Sequence, residues 1–170
     1  KGETPQEIAG LARTMRAKAV RIRAEKGEDV VDTCGTGGDG QGTFNISTAV
    51  AFVAAGGGLT VAKHGNRSVS SRSGSADVLE ALGVDLALPP EKVEQSLREL
   101  KVAFLYAPSF HPAMKHAGPI RKEMGIRTAF NILGPLANPA QAQAQVLGVF
   151  SAAHTEFHAH VLKNLGSKKA

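Results

Sequence analysis

Two segments of the chain concentrate groups that bind anions. Asp32-Thr33-Cys34-Gly35-Thr36-Gly37-Gly38-Asp39-Gly40-Gln41-Gly42 places five glycines within eight positions. Backbone without side chains can approach a ligand closely and turn several N–H groups inward, which makes an anion nest suited to a diphosphate. Thr43-Phe44-Asn45-Ile46-Ser47-Thr48 follows, setting hydroxyls and an amide beside the positive end of a helix. A flexible turn with an ordinary Ser/Thr cap is the competing reading. Gly-x-Gly-x-x-Gly can be drawn through Gly35, Gly37 and Gly40, but alone it is weak support for a dinucleotide. A Lys-Ser/Thr ending at P-loop spacing is absent, which argues against an ATPase.

The second segment, Lys63-His64-Gly65-Asn66-Arg67-Ser68-Val69-Ser70-Ser71-Arg72-Ser73-Gly74-Ser75, gathers three permanent cations, five hydroxyls and an amide in thirteen residues. Such a loop can surround a sugar phosphate with charge-assisted hydrogen bonds, each contributing roughly 1.5–3 kcal/mol. A solvated loop ending in an N-cap Ser75 is the alternative. Two anion-seeking loops after two successive strands favour the binding reading.

The elements that must position these loops alternate. Thr4-Pro5-Gln6-Glu7 supplies an N-cap, a first-turn proline and a capping-box partner, and Leu11, Met15 and Ala19, bracketed by Ile8 and Ile22, recur at helical spacing. The spacing predicts an amphipathic helix over 4–23. Val30 to Asp32 reads as a buried strand, Ser47 to Ala55 as a helix, Leu59 to Ala62 as a strand and Lys63 to Gly74 as a loop. Ser75 to Leu82 reads as a helix stopped by Gly83, Pro90 to Leu100 as a helix and Val102 to Leu105 as a strand. Pro112 to Met124 and a stretch near Thr128 are expected to be helical, Gln145 to Phe150 a strand and His154 to Leu165 a helix. Residues 166–170 read as a turn into a further strand. The expectation is an α/β fold, a mainly parallel sheet flanked by helices, with ligands at the carboxyl ends of the strands. Residues 1–27 are expected to be the remnant of a small helical domain, and 28–170 an α/β domain incomplete at its C-terminus.

Composition narrows the partners. The chain has 170 residues, 42% apolar, and a net charge of +5, enough for one core and suited to an anionic partner. With no Trp and one Tyr, there is little for unstacked bases to lie on, and nucleic acid is not expected. Apolar stretches are short, so no membrane span is expected. The single cysteine, Cys34, cannot make an internal disulfide, which fits a reducing cytoplasm. Arg13, Arg16, Lys18, Arg21, Arg23 and Lys26 read as the solvated face of a helix.

Both loops, with Ala76-Asp77-Val78-Leu79-Glu80-Ala81-Leu82-Gly83 and Gly134-Pro135-Leu136-Ala137-Asn138-Pro139, closely resemble the anthranilate phosphoribosyltransferases, from about Gly2 to the end. Pyrimidine nucleoside phosphorylases share the architecture and are the nearest alternative, but their loops look different. The resemblance implies transfer of the phosphoribosyl group of phosphoribosyl pyrophosphate to anthranilate, a step of tryptophan synthesis, with magnesium. It places Gly35, Gly38, Asp39 and Thr43 around the pyrophosphate. Asn45, Ile46, Ser47 and Thr48 would also lie on phosphoribosyl pyrophosphate, with Ser47 touching the metal. Lys63, His64, Gly65, Asn66, Arg67, Ser68, Val69, Ser70, Ser71 and Ser75 would close over its phosphates and ribose. Gly35, Asn66, His111, Gly134 and Pro135 would line the anthranilate site, where Arg121 would hold the carboxylate. Lys63, His64 and His111 are catalytic candidates, with no general base assigned. The family's acidic Asp-Glu pair is absent from these residues, as are further N-terminal helices, so the chain is expected to be an interior fragment of a homodimeric enzyme.

Two other signals point elsewhere. His154 and His158 stand at i, i+4 with His160 nearby, a spacing that could grip zinc, but Glu156 lacks the His-Glu-x-x-His placement. Cys34 adjoins the first loop without a sequence-adjacent histidine, which favours a small strand-end residue over a reactive thiol.

Overall fold

Thr4 opens the first helix by the expected chemistry. Its side chain accepts the Glu7 N–H while the Glu7 carboxylate accepts the Thr4 N–H, a closed capping box, and Pro5 begins α1 (Pro5–Lys18). This computed structural model describes residues 2–37, 42–68 and 73–170, with Lys122 described by its backbone alone. The helix ends at Lys18 rather than near Arg23: the Val20 N–H donates to the Phe110 carbonyl at 2.8 Å, pulling the chain into an extended path along the body. Its buried stripe is Ile8, Ala9 and Ala12, whereas Leu11 is 45% exposed. Nor are all its basic residues solvated: the Arg13 guanidinium donates to the Asn164 carbonyl and Arg16 Nε to that of Leu136.

The sheet is four-stranded and wholly parallel, in the order β3-β2-β1-β4, formed by β1 (Val30–Gly35), β2 (Thr60–Gly65), β3 (Val102–Tyr106) and β4 (Ala144–Gly148). Parallel neighbours need crossovers. Helix α2 (Ile46–Gly56) joins β1 to β2, and α3 (Ser75–Ala81) with α4 (Pro90–Leu100) joins β2 to β3. Beyond β3 come α5 (Ala107–Phe110), α6 (Met114–Met124), α7 (Phe130–Leu133) and a 3₁₀ turn at Gly134–Leu136. Strand β4 and α8 (Ala153–Leu165) follow, and Lys169 then forms a parallel bridge to Ala144, where the sequence predicted a turn into a strand.

Strand bounds differ from the expected ones in one way that matters for the site. β2 continues through Lys63, His64 and Gly65, which pair with Phe104, Leu105 and Tyr106 of β3. Those three residues are therefore strand, not loop, and the backbone that carries them is fixed. Strand β1 likewise runs on to Gly35, paired with Gly148. The expected helix over 112–124 is α6, Met114–Met124, preceded by the short α5 that the sequence did not signal, and the expected strand over 145–150 stops at Gly148.

Two apolar clusters hold these layers. Ile22, Val30, Ala62, Val93, Leu97, Ala103, Leu105 and Phe110 fill the space between the sheet, α4 and α5. Ile8, Ala9, Ala12, Leu133, Leu136, Val161 and Leu162 join α1 to α7, the 3₁₀ turn and α8. Among the described residues, no helix is long and apolar enough to cross a membrane.

Candidate functional site

The ladder between β1 and β2 ends early. Its rungs are Val30↔Thr60 and Val31↔Val61, whereas β1 stays paired with β4 as far as Gly35 and β2 with β3 as far as Gly65. Past those rungs, side chains take over the backbone groups that a ladder would have paired. Asp32 Oδ1 accepts the His64 N–H at 3.2 Å, Asn138 Nδ2 donates to the Ala62 carbonyl at 2.8 Å, and Lys63 Nζ donates to the Thr33 carbonyl at 2.6 Å. Both candidate loops leave the sheet from this gap.

Lys63 ties the two loops' foundations together. Its ammonium reaches Ser47 Oγ at 3.0 Å at the start of α2, and Thr33 Oγ1 donates to the Ser47 carbonyl at 2.8 Å. Asn45 Nδ2 donates to the Ser73 carbonyl at 3.4 Å, a direct bond from the first loop to the second. The two segments therefore adjoin on one side of the molecule rather than lying on opposite sides. Burial draws the Lys63 pKa down, opposed by the charge of Asp32. Asp32 is itself buried, and burial raises its carboxyl to about 6 against the pull of Asn138, Lys63 and the His64 amide.

Consecutive strand residues point to opposite faces, and His64 accordingly turns away from Lys63. Its Nδ1 lies 3.1 Å from the Gly134 carbonyl and its Nε2 lies 3.1 Å from His111 Nε2. Burial pushes His64 down to about 3, helped by the neighbouring His111, whose own pKa burial lowers. Both rings are neutral. Gln145 Nε2 donates to the Pro135 carbonyl at 2.5 Å, so the Gly134-Pro135 segment is held from two sides. A cavity of about 180 Å³ opens beside His111, lined by Thr14, Met15, Lys18, Met114 and Phe130 among others. Arg121, on α6, holds its guanidinium 4.8 Å over the Phe130 ring. An aromatic wall with Lys18 and Arg121 close by suits a small aromatic carboxylate.

The second loop is closed at its base by one carboxylate. Asp77 Oδ2 accepts N–H groups from both Ser68, at 3.0 Å, and Gly74, at 2.7 Å. Arg67 lies along α3, bonded to both oxygens of Glu80 at 2.7 Å and to Asp77 at 3.2 Å, with Tyr106 beneath it. Asn66 Oδ1 accepts the Arg67 N–H, and Ser75 Oγ donates to the Asn66 carbonyl. Gly35 sits in β1 against Gly148. Thr43 and Ile46 are exposed at the foot of α2, whereas Thr48 is buried. Gly38, Asp39, Val69, Ser70 and Ser71 lie outside the described residues, as does Arg72.

Other signals find structural roles. Cys34 is buried within β1, accepts from Gln145 Nε2, and burial raises its pKa well above the ordinary thiol value. His158 is buried with Nδ1 against the His154 carbonyl, and His160 faces Glu156 at 3.6 Å. No group of three or more potential metal ligands occurs among the described residues. Reasoning from sequence missed Asp32, Asn138, Gln145 and Lys18 as parts of the site. A signal for the first existed: Asp32 interrupts an otherwise apolar strand on the face that Val30 buries.

The chain spans about half the length of the curated relatives it matches. It is 62% identical over all 170 residues to the anthranilate phosphoribosyltransferase of Acetivibrio thermocellus, covering 49% of that protein, and 58% identical to that of Herpetosiphon aurantiacus, covering 50%. The crystal structure of anthranilate phosphoribosyltransferase from Thermus thermophilus superposes with a TM-score of 0.92 at 56% identity, over 98% of this chain and 50% of that one. The Saccharomyces cerevisiae enzyme in complex with PRPP and Mg gives a TM-score of 0.88 at 36% identity, over 98% and 47%. The profile of the glycosyl transferase family, a/b domain, matches residues 27–170, and the chain belongs to that family.

Proposed function

We propose that this chain carries the phosphoribosyl pyrophosphate site of an enzyme that transfers the phosphoribosyl group to anthranilate, giving N-(5-phosphoribosyl)anthranilate and pyrophosphate. The observation that supports this most is the direct contact between the two loops, through Lys63 to Ser47 and Asn45 to Ser73. The relatives named above carry the same activity in their names, and the yeast enzyme binds PRPP and Mg. Family membership from residue 27 suits a domain boundary near 27, with α1 belonging to a helical domain that docks on α8.

In this reading the pyrophosphate lies against Gly35, Gly38, Asp39 and Thr43, with Asn45 to Thr48 and Lys63 to Ser71 and Ser75 around the phosphoribosyl group. Negative charge builds on pyrophosphate as its bond to the anomeric carbon breaks, and donors already in place stabilise it without reorganising. Lys63 is such a donor, held by Thr33 and Ser47 before the ligand arrives. Anthranilate enters along His111 and Gly134-Pro135, with Asn66 at the sugar end and Arg121 or Lys18 on its carboxylate. Its neutral amine is already nucleophilic, so a strong base is not required. His64 and His111 hold ring orientation rather than a proton from the amine, because each already shares its Nε2 with the other.

Magnesium is a separate matter. The described residues offer it one hydroxyl, Ser47 Oγ, and the Lys63 ammonium stands 3.0 Å from that oxygen. Hard divalent cations take carboxylate and phosphate oxygens, so these described residues alone do not fit the ion. Calorimetric titration with phosphoribosyl pyrophosphate tests the proposal: saturable binding that pyrophosphate competes away is expected. Binding of duplex DNA instead, steeply weakened by salt and indifferent to pyrophosphate, would sink it.

A further inference from the structure

We propose that Asp32 is a positioning residue for this site, holding the end of β2 by the His64 amide where the β1–β2 ladder has stopped; the assignment rests on the proposed function. Val31↔Val61 is the last rung between the two strands. From there the carboxylate of Asp32 is the acceptor that keeps the His64 N–H at 3.2 Å, and Asn138 Nδ2 secures the preceding Ala62 carbonyl from the same gap. Asp32 has no exposed surface, so it cannot touch a ligand itself. It acts through its neighbours.

One amide fixes two functional side chains. Lys63 and His64 are consecutive and project to opposite faces of β2, Lys63 to Thr33 and Ser47, His64 to Gly134 and His111. Pairing with β3 sets the register of both residues from one side, and Asp32 sets it from the other. A strand tethered on one side only can rock into the gap, carrying the ammonium away from Ser47 and the imidazole away from His111 together.

The test compares Asp32→Ala, which removes the acceptor, with Asp32→Asn, which keeps one. Hydrogen exchange at the His64 amide and calorimetric affinity for pyrophosphate are measured on the chain. Losing a hydrogen bond of ordinary strength predicts about tenfold faster exchange and about tenfold weaker pyrophosphate binding in Asp32→Ala. Asp32→Asn is expected to stay within about threefold of the parent in both. Unchanged His64 exchange in Asp32→Ala overturns the assignment, as does an Asp32→Asn variant that loses as much as Asp32→Ala. Should Asp32→Ala not fold, scalar coupling across the hydrogen bond between the His64 amide nitrogen and the Asp32 carboxyl carbon is read in the parent chain, and its absence overturns the assignment equally. A parent chain that ignores pyrophosphate counts against the proposed function, while His64 exchange still decides the role of Asp32.

Discussion

The Nε2 atoms of His64 and His111 stand 3.1 Å apart, while His64 Nδ1 faces the Gly134 carbonyl at the same distance. A carbonyl only accepts, so the His64 proton is expected on Nδ1 with Nε2 as an acceptor, and Nε2–H is expected on His111, where the Ala137 carbonyl competes for that ring's proton. In that arrangement His111 is the donor that orients His64 beneath Gly134. Replacing it by Gln preserves an N–H donor; replacing it by Phe leaves His64 Nε2 buried and unpaired. His111→Phe is expected to lower stability by about 1–3 kcal/mol and His111→Gln by distinctly less. Equal losses in urea unfolding, or ring nitrogen shifts showing Nε2–H on His64, would reverse the assignment.

Acid stability follows from two groups with opposite linkage. Burial drops His64 from 6.5 to about 3, so between those values the unfolded chain holds more protons and stability rises with pH. Asp32, raised from 3.8 to about 6, does the reverse: across that window the folded chain holds the extra proton and stability falls as pH rises. The two slopes oppose each other between roughly pH 4 and 6. Asp32→Asn removes the falling component, and its stability is expected to drop more steeply on acidification than the parent's, by a difference approaching ~3 kcal/mol across the window. Parallel curves from urea titrations at several pH values would show that the Asp32 carboxyl is not shifted.

Asp77 stitches the base of the second loop by accepting both the Ser68 and Gly74 N–H groups on one oxygen. Those bonds hold its pKa below the usual carboxylate value. Asp77→Ala frees both stems, and limited proteolysis is expected to cut between residues 66 and 74 faster than in the parent, with pyrophosphate affinity falling in parallel. Glu80→Gln acts differently. It weakens the grip on Arg67 while leaving the stitch intact, so pyrophosphate affinity is expected to rise, most visibly at low salt. A fall in affinity for Glu80→Gln would mean that Arg67 serves the site from where it now lies.

Much of this arrangement was legible because local signals agreed with the fold. The capping box at Thr4 and Glu7, the proline that opens α4 and the glycine stops all carry chemistry that acts within a few residues. Lys63 was misplaced because nothing local separates a cationic loop residue from a buried strand lysine. Its partner carbonyl on Thr33 and the β3 rungs that extend the strand are distant in sequence. Asp32, Asn138 and Gln145 escaped for the same reason: each satisfies a backbone group or side chain that only tertiary packing exposes. Leu11 fitted the helical period, yet α1 packs in the cluster with α8 through Ile8, Ala9 and Ala12, a stripe that leaves Leu11 outside.

Gly74 gives the sharpest steric test of how the second loop closes. A methyl group there would stand 2.7 Å from the Arg67 carbonyl carbon and from the Asn66 oxygen, and closer still to the Ser68 nitrogen. All three are backbone atoms that cannot swing aside, so the stems must part and the Asp77 bonds to Ser68 and Gly74 must lengthen. Gly65 is also crowded, but by the Ser75 hydroxyl, which can rotate, and by the Phe104 ring. Gly74→Ala is therefore expected to raise proteolytic cleavage at the loop and weaken pyrophosphate binding about tenfold, the scale of one lost charge-assisted bond, while the four-stranded sheet keeps its circular dichroism. Gly74→Ala binding as tightly as the parent would show that the loop closes on its ligand without the contact between its stems.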